Sequence, residues 1–290
     1  MRKLGQSIAV ICLAASTMIG AQTPPPDASG VLAAAREALG GEKKLAAVRT
    51  VIATGRTRQV RGDNLVPIEF EIAIELPDKY VRKDEIPAQE SGPTTTGFNG
   101  DQLLQFPVPG PPPARAGAPP PSPEQLATAA RMRLATVRQD FARLALGMFA
   151  ASFPSYPLTF TYVGKAEAPQ GKADVLDVKG PAGPGALAAR IFVNADTHLP
   201  IMITWAVPPA RGGPPPASAP PSRGEPPAAS PNQPSAPESR LYFGEYREVS
   251  GLQLPFRLRR ALGPDTVEET TFDGFKINAK VDPKKFEVRK

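Results

Sequence analysis

Between Ile68 and Leu76 the chain alternates without a break. Ile68, Phe70, Ile72, Ile74 and Leu76 are apolar, and Glu69, Glu71, Ala73 and Glu75 lie between them. Successive side chains of a strand point to opposite faces, so this pattern predicts a strand with one dry and one wet side. Asn99-Gly100-Asp101, set between candidate strands at 94–98 and 102–106, predicts a tight hairpin. A different period governs 123–149. Leu126, Ala130, Leu134, Val137, Phe141, Leu144 and Met148 recur every third or fourth residue, the stripe of an amphipathic helix about seven turns long. Ser122 as cap, Pro123 at the first helical position and Gln125 three residues after the cap mark its start. Met132, Leu146 and Phe149 fall off the stripe, so the helix is apolar over more than one narrow seam. A shorter helix after Asp27 carries Val31, Leu32, Ala35 and Leu39 and stops at Gly40-Gly41, residues that accept a left-handed backbone.

About 10–11 strands, one long helix and a helical N-terminus predict an α+β fold built on one large antiparallel sheet. Ten strands at about 4.8 Å spacing span roughly 45 Å, whereas a helix with its side chains is about 10–12 Å wide. A flat sheet of that width stays uncovered, so the expected form is a curled sheet, an incomplete β-barrel, with the helix as lid. Such a sheet encloses either an apolar cavity or an ordinary filled core. Under the cavity reading Ile68, Phe70, Ile72, Ile74, Phe160, Ile203 and Trp205 form the wall, and Leu134, Val137, Phe141, Leu144 and Met148 form the lid. Under the other, the same residues are core packing, and on the pattern alone both stay open.

Composition adds the setting. Of the 37 prolines among 290 residues, nine fall in 107–123 and twelve in 208–237. These stretches lack periodicity, and Pro-rich insertions at 107–123 and 208–238 are expected to be extended or disordered within a single domain, 22–290. Residues 1–21 read as a signal peptide: Arg2 and Lys3, then an apolar run from Ile8 to Ile19, with cleavage expected after Ala21. A periplasmic or secreted protein is therefore expected, and the apolar run is too short for a membrane span, which needs about 20 residues. The lone cysteine, Cys12, lies inside that leader. With it gone and one histidine, His198, remaining, a His/Cys metal site or Cys–His nucleophile has no residues to use.

No G-x-S-x-G elbow, S-x-x-K or P-loop is present, and His198 sits in a turn without a partner motif. Asp84-Glu85 and Glu268-Glu269 are adjacent on strands, so the members of each pair face opposite ways. No enzyme, metal or cofactor is expected. A net charge of +6, dispersed along the chain, does not read as a nucleic-acid surface. Arg257, Arg259, Arg260, Lys284, Lys285, Arg289 and Lys290 read as a solvated basic face, with contact to anionic headgroups as the alternative.

Five stretches, AREALGGEKKLAAVRTVIATGR (35–56), FNGDQLLQF (98–106), IFVNADTHLPIMITW (191–205), YFGEYREVSGLQLPFRLR (242–259) and FKINAKVDPKKFEV (275–288), together resemble the LolA-like family, the outer-membrane lipoprotein-sorting carriers and their LolB- and LppX-type relatives. Their order carries the resemblance: double-glycine helix end, strands, N-G-D hairpin, one helix, strands with a D-x-x-L-P turn and a terminal D-P-x-x-F. It implies an incomplete barrel of about eleven strands around an apolar cavity with helices as a lid. It also implies carriage of lipid or lipoprotein acyl chains across the periplasm, without catalysis or cofactor and with only transient membrane contact. The lipoprotein carriers are expected to hold an arginine directly before the proline that ends the second strand; here Leu76 precedes Pro77. The alternative function is an envelope interaction module acting through the Pro-rich arms, with envelope proteins as partners. An extended arm of 30 residues spans up to about 90 Å.

Overall fold

The computed structural model describes residues 27–87, 89–90, 92–108, 121–183, 186–207 and 237–287. The leader, 1–21, and most of both Pro-rich insertions, 109–120 and 208–236, lie outside the described residues. Two helices, α1 (Ala28–Ala38) and α2 (Glu42–Ala46), precede a meander of β1 (Thr50–Arg61), β2 (Asn64–Glu75), β3 (Lys79–Glu85), β4 (Thr94–Asn99) and β5 (Gln102–Phe106). After α3 (Pro123–Phe149) come β6 (Thr159–Ala168), β7 (Gly171–Lys179), β8 (Ala188–Asn194), β9 (Pro200–Ala206), β10 (Glu238–Val249), β11 (Leu252–Leu262) and β12 (Asp265–Ile277).

All twelve strands belong to one antiparallel sheet in the order β5-β4-β3-β2-β1-β12-β11-β10-β9-β8-β7-β6. Pairing of β1 with β12, Val51 opposite Ile277, joins the two halves of the chain, while β5 and β6 remain as edges and no barrel closes. Because α3 links those opposite edges, it must cross one face of the sheet. That face wraps around it: the main core gathers residues of β1–β4 and β7–β12 about the buried stretch Phe141–Phe149. Bulges help the sheet to curl. The register shifts at Thr54/Gly55, Tyr162/Gly164, Phe192/Val193 and Arg260/Ala261, and an unpaired residue bends its strand. At Gly55 a side chain is impossible, since a Cβ would lie 2.3 Å from the Thr271 carbonyl oxygen and 2.7 Å from the Phe70 ring.

The sheet has twelve strands, against the expected count of about 10–11. Beyond β12 no further strand forms as far as residue 287. Pro283–Phe286 forms a 3₁₀ turn instead, because Pro283 has no N–H for a ladder and Asp282 accepts the Lys284 N–H at 3.0 Å. That turn packs Phe286 with Ala73, Val81, Leu104 and Val281 on the convex face. The expected wet face of β2 is thus partly covered, with Lys285 ion-paired to Glu71.

Helix α3 follows its sequence closely. Ser122 and Gln125 form a capping box, and Ala150 closes the helix in the left-handed conformation with φ 45°. The first turns expose Leu126 and Met132, whereas Phe141–Phe149 are buried on every side. The hairpin holds the middle, Arg138 Nη2 donating to the Gly100 carbonyl at 2.6 Å and to Asp101 Oδ1 at 2.7 Å. The last turn lies against β10, where a Cβ on Gly147 would fall 2.0 Å from the Phe243 ring.

Candidate functional site

Two hollows lie beside α3. The first, about 530 Å³, sits where α1, α2, the β2–β3 turn and the segment after α3 converge. Leu32, Leu45, Val48, Leu76, Phe153 and Phe160 make it apolar, and its volume is that of a small-ligand pocket. Arg36 and Arg49 are its charged residues. Arg36 is committed: it donates from Nη2 to Glu42 at 2.8 Å and from Nη1 to the Phe149 carbonyl at 3.0 Å, tying α1 to the end of α3. That contact with Arg36 holds the Glu42 carboxyl below its ordinary range.

The second hollow, about 280 Å³, lies under the middle of α3 and is charged. Arg82, Asp84, Asp140, Arg143, Arg260 and Glu268 line it together with Ile72, Val137, Leu144 and Trp205. Arg82 pairs with Asp84 at 2.7 Å, donates to Thr57 Oγ1 at 3.1 Å and lies 4.6 Å from the Phe70 ring centre. Thr57 and Thr270 share a buried hydrogen bond of 2.8 Å. Arg143 pairs with Asp140 at 2.8 Å and stacks 4.2 Å from Trp205, while its Nε is buried without a hydrogen-bond partner. Burial pushes the Asp140 carboxyl up from its ordinary value and the Arg143 guanidinium down, each offset in part by the other's charge. The Asp140 side chain retains 57% of its accessible surface. Solvent therefore reaches the carboxyl and screens part of that effect.

An aromatic chain separates the hollows. The Phe141 ring lies 5.4 Å from Tyr80, 5.5 Å from Phe98 and 5.8 Å from Phe153, and Phe153 lies 5.9 Å from Phe149. Tyr80 lines the charged hollow; Phe149 and Phe153 line the apolar one. Phe141, only 2% exposed, plugs the space between.

The residues proposed from the sequence as wall and lid fall into distinct places. Ile72, Trp205, Val137 and Leu144 line the charged hollow, and Phe160 lines the apolar one. Ile74, Ile203, Phe141, Met148 and, at its edge, Leu134 pack into the main core. Phe70 also packs there and borders a shallow surface depression between β1 and β2, while Ile68 is buried apart from the main core. The charged group escaped the sequence pattern, although it carries a signal. Arg82 and Asp84 continue the inward phase of Tyr80, and Thr270 and Glu268 continue that of Phe272, so each strand passes from apolar to polar along one face. Their meeting depends on strand neighbours distant in sequence. Glu269, facing the other way, pairs with Arg257 at 3.5 Å.

Among the described residues no group of three or more His, Cys, Asp or Glu stands close enough to hold a metal ion. His198 is an exposed turn residue with φ 57° whose N–H donates to the Asn194 carbonyl at 2.9 Å. No helix among the described residues is long and apolar enough to cross a membrane.

No family model matches the sequence, and no curated protein does. Solved structures do match. A LolA superfamily protein from Nitrosomonas europaea aligns with TM-score 0.50 at 14% identity, covering 91% of this chain and 98% of that one. A domain described as an outer membrane lipoprotein-sorting protein, from Vibrio parahaemolyticus, aligns with TM-score 0.47 at 9% identity over 88% and 95% of the two chains. A DUF1329 family protein from Desulfovibrio piger gives 0.43 at 8% identity over 90% and 97%. The first of these establishes the architecture: the chain has a LolA-like fold.

Proposed function

We propose that the protein is a non-catalytic carrier or binder of acyl chains, from a lipid or from the lipid anchor of a lipoprotein, working in the periplasm or outside the cell. The observation that carries this reading is the apolar hollow of about 530 Å³ framed by α1, α2 and the end of α3. Burying one methylene is worth about 0.8 kcal/mol, so a chain of sixteen carbons gains roughly 12 kcal/mol gross on leaving water. A molecule with that preference crosses an aqueous compartment only inside a shell that substitutes for the membrane. The LolA-like fold and the leader-like first 21 residues agree with such a task. In this reading the acyl chain enters beside Leu32 and Leu45, and a longer chain reaches further only if the Phe141 ring swings aside.

The test is titration with a fluorescent fatty-acid analogue and displacement by palmitate. Saturable one-to-one binding is expected. Leu32→Glu places a charge in the hollow from a half-exposed helical position that the fold tolerates. It is expected to weaken binding by about tenfold or more, since an unpaired carboxylate is costly beside an acyl chain. Binding that does not saturate, or that ignores Leu32→Glu, overturns the proposal.

A further inference from the structure

We propose that the charged hollow under α3 binds the headgroup of a zwitterionic amphiphile, a phosphate joined to an ammonium by a short linker, as in phosphoethanolamine. This deepens the carrier reading and rests on it. The hollow brings three arginines and three carboxylates together, a set with no net charge. Two pairs are satisfied internally, Arg82 with Asp84 and Arg143 with Asp140, both within 2.8 Å. The third is not. Arg260 and Glu268 stand opposite each other in the β11–β12 register, yet no ion pair within 4.0 Å joins them. The Arg260 side chain makes no hydrogen bond and no ion pair within 4.0 Å among the described residues, although its charge acts on Asp140. Glu268 is held only by Gln59 and Thr270, each at 3.5 Å. The Arg143 Nε adds a buried donor without an acceptor on the same hollow.

One cation and one carboxylate left side by side match a ligand that carries one group of each sign. The phosphate is received by Arg260 with Arg143 behind it, guanidinium forks being suited to phosphate oxygens. The ammonium then lies against Glu268 and Asp140. A headgroup with a phosphate alone would leave those carboxylates facing it unpaired, so the hollow selects against simple anions. Its volume of about 280 Å³ suits a headgroup and not a whole lipid. Ile72, Val137 and Leu144 on the same walls accept the first apolar atoms that follow.

The test compares dihexanoyl-phosphatidylethanolamine, dihexanoyl-phosphatidylglycerol and free O-phosphoethanolamine by calorimetric titration below micelle formation. The wild type is expected to prefer the ethanolamine lipid over the glycerol lipid by about tenfold, the scale of one added charge-assisted contact. Glu268→Gln should abolish that preference, weakening the ethanolamine lipid and strengthening the glycerol lipid as the repulsion is relieved, whereas Arg260→Gln should weaken both lipids. Both side chains lie at the rim of the hollow, outside the packed core, and thermal melts confirm that the variants fold. Palmitate binding should be unchanged in both. Equal affinity for the two lipids in the wild type, or a preference that survives Glu268→Gln, overturns the headgroup site. If palmitate still binds in that event, the carrier reading stands. Binding of O-phosphoethanolamine as tight as that of its lipid supports the site with a free metabolite as the source; much weaker binding supports it with a lipid as the source.

Discussion

Phe141→Ala tests the plug between the hollows. The ring is buried and touches Tyr80, Phe98 and Phe153 at centroid distances of 5.4, 5.5 and 5.8 Å. Truncating such a side chain costs about 3–5 kcal/mol, from lost transfer energy and from the void left behind. Against a usual domain stability of about 5–15 kcal/mol, the variant is weakened but folded. The void opens between Tyr80, on the charged hollow, and Phe153, on the apolar one. Arg143 and Phe149, which border the two hollows, lie six residues or about 9 Å apart along the helix. A long acyl chain can then fill space that the wild type gives to its own phenyl ring. Urea unfolding with and without palmitate or octanoate reads both effects. Saturating ligand at a hundredfold over its dissociation constant stabilises by about 2.7 kcal/mol, and tighter binding raises that at fixed concentration. Palmitate should therefore stabilise Phe141→Ala more than the wild type, while octanoate, too short to pass the plug, should stabilise both alike. A variant that loses the stability but shows no chain-length dependence refutes the plug.

Two further outcomes follow from single contacts. Replacing a helical glycine by alanine ordinarily gains up to about 1 kcal/mol, but at Gly147, in the last turn of α3, the added Cβ would sit 2.0 Å from the fully buried Phe243 ring. Gly147→Ala should therefore lose about 1–3 kcal/mol in urea unfolding, as overpacking does, and a stabilised variant would show that α3 does not lie this close to β10. The Asp140 carboxyl is raised by burial above its unfolded value of 3.8, so the folded state holds that proton more tightly. Its contribution is thus most favourable below 3.8 and is lost as pH rises through the raised value. The stability of the wild type relative to Asp140→Asn should shift slightly in favour of the wild type as pH falls from 7 toward 4, the effect being damped because the side chain is 57% exposed, and a difference independent of pH would contradict the raised carboxyl.

Much of the architecture is legible because it is local. The alternation at Ile68–Glu75, the Asn99-Gly100-Asp101 turn and the Ser122–Gln125 box each settle their own element within a few residues. The site is less legible because it depends on neighbours far apart in sequence. Only the pairing of β1 with β12 brings Thr57 to Thr270 and so places Arg82 near Glu268. Period also fails to distinguish a cavity wall from a core. Ile74 and Ile203 keep the same inward phase as Ile72 and Trp205, yet they meet protein side chains while the latter border open space. Leu76 shows the converse. It stands where the family resemblance leads one to expect an arginine, and it lines the apolar hollow instead.

The most direct measurement is the lipid content of the full chain, exported and purified without detergent from a membrane-containing lysate, then extracted and quantified by mass spectrometry. An acyl-bearing lipid at near one-to-one ratio, depleted in the Leu32→Glu variant, is the expected result. Protein that carries no lipid and shows no saturable uptake of a fatty acid would contradict the carrier.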